Sequence, residues 1–209
     1  MEDSGLDHQF QRPLSLAMAI QRDLGELDIY PFRYIQFRVA TTTHQRFGKV
    51  IPCTYRLVAG RLPYPELTNE ELIKGCQKGL SELDPERILS NHRLLDHGEG
   101  RLQRIVRKIC TEVYPVLFQV LTIQHGEGHR IWNLNKFEAM EQLPEDTELG
   151  RKIQQFYSAV ARYYPNETNV DDALAIITYG IEFLNIAKQW WEHFKGGAFN
   201  ERDRIHKRL

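Results

Sequence analysis

The residue types best suited to chemistry here are histidines and carboxylates framed by glycine. Two tetrapeptides carry them, His97-Gly98-Glu99-Gly100 and His125-Gly126-Glu127-Gly128, spaced 28 residues apart, with His129 following the second. Imidazoles from His97, His125 and His129, completed by a carboxylate from Glu99 or Glu127, would make a ligand set for a metal ion and hence a metal-dependent enzyme. The same residues suit a second role. Glycine reaches positive φ at a helix end, and histidine is favourable near a helix C-terminus. Both tetrapeptides follow apolar segments, 88–95 and 116–123, so the turn reading is favoured over the metal reading. The flanking residues do not repeat beyond Arg101 and Arg130, and no repeat array emerges.

A second constellation pairs cations with aromatic rings. Residues 29–65 are 37 consecutive positions without an acid, carrying Arg33, Arg38, Arg46, Lys49, Arg56 and Arg61 among Tyr30, Phe32, Tyr34, Phe37, Phe47, Tyr55 and Tyr64. Cations attract phosphates and exposed rings stack on bases, so this segment is a candidate nucleic-acid or anion-binding surface. Arg101, Arg104, Arg107 and Lys108 form a basic stripe that would extend it. The competing account is that the rings are core and the cations pair with the acidic stretches 1–28 and 137–149. The latter holds Glu138, Glu141, Glu145, Asp146 and Glu148 and no base. Electroneutrality favours that pairing, because 27 basic against 28 acidic side chains leave a net charge of -1.

Other catalytic templates are missing: GxGxxG, the Walker loop, GxSxG and HExxH do not occur. No motif calls for a cofactor. The three cysteines, Cys53, Cys76 and Cys110, are an odd and scattered set, which fits packing in a reducing compartment better than a disulfide framework. No basic-then-apolar leader opens the sequence, and no apolar run of membrane-spanning length follows, so a soluble cytoplasmic protein without a membrane partner is expected. A composition 42% hydrophobic excludes a disordered chain.

The elements that must position these residues are mostly helical. The fold expected is mainly α and bundle-like, with a small β-hairpin or two-stranded element near residues 32–59. A short helix around the apolar run 14–20 is expected to start at Pro13 and end near Gly25. Thr68 and Glu71 spell a capping box, and Asp84-Pro85 a cap followed by a first-turn proline. Apolar residues from 102 to 113 outline a further helix, which Pro115 is expected to kink or break. Leu149, Ile153, Phe156, Val160 and Tyr163 form an amphipathic stripe ending at Pro165. The last helix is capped by Asn169 and expected to stop at Gly196-Gly197. Its polar residues make only a narrow seam, Asp171, Thr178, Glu182, Asn185, Gln189 and Glu192, so it should lie at the centre of its domain, the favoured reading, or be buried against a partner.

Three regions follow: residues 1–65 with the short helix and the aromatic-basic segment, a helical domain over 66–199, and a charged tail over 200–209. A single compact domain is the alternative. The function expected is that of a non-enzymatic protein-interaction or regulatory protein with a protein partner or a second copy of itself. Trp190, Trp191 and Phe194 are its candidate interface. Nucleic-acid or phosphate-ligand binding and metal-dependent catalysis are the alternatives.

Overall fold

The computed structural model describes Ser15, Met18, Ala19, Arg22 and residues 49–55, 64–90, 100–167 and 169–206, with the side chains of 89–90 and 196–206 left out. By its contacts the chain divides into two compact units, Met1–Gly48 and Lys49–Leu209. In the first, the helical backbone at Ser15, Met18, Ala19 and Arg22 agrees with the short helix expected there. The second is a mainly helical unit. Among the described residues it has seven α-helices and no strand: α1 (Asn69–Ser81), α2 (Pro85–Ser90), α3 (Arg101–His125), α4 (Gly128–Trp132), α5 (Lys136–Glu141), α6 (Glu148–Tyr163) and α7 (Val170–His206). None is long and apolar enough to cross a membrane.

Local chemistry sets where these helices begin. Thr68 Oγ1 accepts from the Glu71 amide while Glu71 accepts from the Thr68 amide at 3.0 Å, so α1 opens with the reciprocal cap its sequence spells. Asp84 accepts from the Arg87 amide at 3.1 Å to start α2, and Asn169 from the Asp172 amide at 3.1 Å to start α7. α5 opens with a second reciprocal cap, in which Asn135 and Glu138 exchange bonds, that was not expected from the sequence. Gly126 ends α3 at φ 70°, its amide bonded to the Thr122 carbonyl. A non-glycine residue would be strained in that left-handed conformation.

The core is one cluster built around two long helices. α7 packs against α6, α3, α1 and α2, and α3 against α1, α4 and α5. Ile109, Val113, Leu117 and Leu121 from α3 meet Ile153 and Phe156 from α6 and Ile176, Phe183 and Leu184 from α7, all buried. Five of the six seam residues, Asp171, Thr178, Asn185, Gln189 and Glu192, are exposed, together with Val170, Leu174 and Phe194. Ile176, Phe183, Leu184 and Trp191 are buried in the core, so α7 has the central position expected.

Two expectations need correction. Pro115 does not end its helix: α3 runs through it for 25 residues. The missing amide forfeits one bond to the Thr111 carbonyl, about 3 kcal/mol with the ring clash. Val113, Tyr114, Val116 and Leu117 are buried on both sides of it, and each such burial contributes about 1.5–3 kcal/mol. Burial therefore wins. Gly196 and Gly197 do not stop α7, which continues to His206 and takes in most of the tail expected over 200–209. A glycine terminates a helix only when it turns left-handed, and α7 keeps its helical backbone there.

There remains the β element expected near residues 32–59. Residues 32–48 and 56–59 lie outside the described residues, and the hairpin is not confirmed. Over 49–55 the chain makes a single parallel bridge, Val50 to Glu66, in place of a strand. It then turns at Pro52-Cys53, where Cys53 has φ 63° and the Thr54 amide reaches back to the Ile51 carbonyl at 3.3 Å. Proline has no amide for a ladder, and the left-handed residue after it reverses the chain.

Candidate protein-interaction groove

The sequence-derived site residues fall in separate places. Lys49 is paired with Glu71 at the start of α1. That corner is held to the C-terminal end of α3 by Asn69 Nδ2 donating to the Gly126 carbonyl at 2.8 Å and by His129 Nε2 bonding the Leu67 carbonyl at 2.9 Å. Arg101, Arg104, Arg107 and Lys108 occupy the opposite end of α3. At 1.5 Å per residue, Lys108 lies about 27 Å along the axis from Gly126. Lys49 and the stripe thus do not share one surface. Arg107 lies 3.8 Å from Glu167, while Arg104 and Lys108 are exposed. Arg33, Arg38, Arg46, Arg56 and Arg61 lie outside the described residues.

The second histidine-glycine tetrapeptide is the turn between α3 and α4. His125 is exposed, Glu127 pairs with Arg130, and His129 is engaged with Leu67. Among the described residues no group of three or more His, Cys, Asp or Glu side chains could hold a metal ion. His97 and Glu99 lie outside them. Gly100, the last residue of the first tetrapeptide, precedes α3 with φ 68°.

The aromatic residues of α7 are more informative. Trp191 is only 6% exposed, and its Nε1 donates to Ser81 Oγ of α1 at 3.1 Å, so it belongs to the core and not to an exposed patch. Trp190 is half-buried. Phe194 is 41% exposed and stacks on both indoles, with centroids 5.2 Å from Trp190 and 5.9 Å from Trp191. A buried tryptophan thereby anchors a ring that faces solvent.

Beside this stack lies a groove of about 430 Å³ between α7, the end of α3 and the loop that joins α5 to α6. Its apolar lining is Leu143, Pro144, Leu149, Ile186 and Trp190, and its polar lining Gln124, Thr147, Glu148, Gln189 and His193. Ile186, Gln189, Trp190 and His193 follow helical steps of three and four, so α7 supplies one continuous wall. His193 Nδ1 donates to the Gln189 carbonyl at 2.7 Å, which leaves Nε2 for a ligand.

The facing wall is locked onto α6. Thr147 caps that helix by accepting from the Gly150 amide at 3.0 Å, and its hydroxyl donates to the Pro144 carbonyl at 2.7 Å. Gly150 is what lets the loop sit so close. A Cβ at that position would stand 2.0 Å from the Pro144 carbonyl oxygen. Of this wall the sequence showed only a run of acids. That residues 143–149 meet the 186–193 stripe is a tertiary fact without a local signature.

No protein-family model, no curated protein and no solved structure matches this chain.

Proposed function

We propose that this protein is a protein-interaction or regulatory module that engages a partner through the α7 groove and the Trp190–Phe194 stack beside it. The observation that carries this reading is an apolar floor with a polar rim, flanked by an exposed ring backed by buried tryptophan. Aromatic anchors in a desolvated pocket surrounded by polar groups are the usual seat of binding energy in protein interfaces. The volume is that of a site for a few side chains.

The alternative, nucleic-acid binding by residues 29–61 and the 101–108 stripe, draws less support. Lys49 is engaged with Glu71 and lies at the far end of α3 from the stripe.

Peptide display against the whole chain, counter-selected with Gln189→Trp, tests the proposal. Gln189 is exposed, so the substitution fills the groove without touching the core. Selection is expected to enrich peptides that bind the native chain and lose binding to Gln189→Trp and to Phe194→Ala. Enrichment only of peptides indifferent to both changes would refute the groove as the functional surface.

A further inference from the structure

The groove has a sign as well as a shape. Among its lining residues Glu148 is the one carboxylate, and His193 the one group able to carry positive charge. Glu145 and Asp146, both exposed, sit in the loop between the lining residues Pro144 and Thr147. None of these three acids pairs with a described cation.

Three nearby cations are engaged or turned away. Lys152 bridges Glu182 at 2.7 Å and Lys195 bridges Glu192 at 2.6 Å. At about 100° per residue, Lys188 and Lys195 lie on the side of α7 away from the Ile186, Trp190 and His193 stripe. Arg151 is exposed, stands one turn along α6 from Glu148 and has no described carboxylate partner.

We propose that the groove takes a cationic amphipathic segment of a partner protein. Its apolar side chains seat against Leu143, Ile186 and Trp190, and its Lys or Arg residues meet Glu145, Asp146 and Glu148. This rests on the reading of the groove as an interaction site and adds the chemistry of the occupant. The apolar contacts supply affinity, whereas rim charges of this kind select the partner by sign and make binding weaken with salt.

Two helical peptides with the same Leu and Trp anchors, one flanked by Lys and Arg and the other by Glu, test it against the full chain by fluorescence anisotropy. The basic peptide is expected to bind about tenfold tighter at low salt, from three rim charges of modest strength each. The ratio should collapse at about 0.5 M salt. Combined Glu145→Lys, Asp146→Lys and Glu148→Lys should remove the preference. Because Glu148 also favours the α6 N-terminus, the loop pair Glu145→Lys and Asp146→Lys, which leaves that helix alone, should reduce it as well.

Equal or tighter binding of the acidic peptide, or a preference unchanged by charge reversal, overturns the cationic occupant while leaving the groove reading intact. Self-association of the chain abolished by Gln189→Trp in sedimentation velocity also overturns it, because a second copy is then the occupant. Failure of both peptides to bind, or binding indifferent to Gln189→Trp, overturns both readings.

Discussion

Cys110 lies half-buried under Tyr164, and burial pushes its thiol up to about 11 against the opposing hydrogen bond from Tyr164 and the charge of Lys136. Burial raises Cys76 too, partly offset by hydrogen bonds to Thr122 and Trp132, whereas Cys53 is exposed. Iodoacetamide at about pH 8 should therefore alkylate Cys53 alone in the native chain, since only an accessible thiolate reacts. Mass spectrometry before and after unfolding checks this. The raised value also fixes a direction of stability. Above about pH 9 the unfolded thiol ionises while the folded one keeps its proton, so stability is present below that pH and is lost as pH rises toward 11. The loss attributable to Cys110 is up to about 2–3 kcal/mol. Urea unfolding at about pH 8 and 10.5 should show a smaller fall for Cys110→Ala than for the native chain. The helical apolar register of Cys110 already argued for packing over nucleophilic chemistry. The left-handed turn at Cys53 was not legible, because the bond from Asn133 Nδ2 to the Pro52 carbonyl that holds it comes from 81 residues away.

Three helix starts were legible because capping is local: Thr68 with Glu71, Asp84 and Asn169 each meet the backbone donor their spacing implies. Helix ends were harder to read. Pro115 and Gly196-Gly197 carry stop signals whose cost is a few kcal/mol or less, and tertiary packing decided the outcome at Pro115. Two other glycines act through space. A Cβ on Gly180 in α7 would stand 2.4 Å from Ile109 Cγ2 of α3, and 3.2 Å from Phe156 and Val113. Helix propensity favours alanine there by about 1 kcal/mol, but overpacking a core costs about 1–3 kcal/mol. Gly180→Ala is expected to be net destabilising by up to about 2 kcal/mol, read as a lowered urea midpoint with unchanged slope. Gly150→Ala should do more harm, because its obstacle is the Pro144 backbone and not a side chain that can rotate. It should also displace the groove rim, so peptide binding falls along with stability.

At the scale of the molecule, the buried cluster of the described residues runs from Leu80 to Trp191, within Lys49–Leu209. A fragment of those residues is expected to unfold in one cooperative thermal transition followed by circular dichroism, because its core is one contiguous cluster. A broad, non-cooperative loss of helix would contradict that. The mainly helical class and the central last helix were legible because apolar periodicity reports which face is buried. The groove was not legible. Its α7 wall could be seen as a stripe, but its other wall is a loop whose position depends on one interlock, Thr147 on Pro144 over Gly150. That interlock has a kinetic consequence. A wall tied to its helix in the free protein need not be assembled during encounter, so the cost of ordering falls on the incoming peptide. Association should then follow a simple bimolecular rate law, with differences between related peptides appearing chiefly in how long each stays bound.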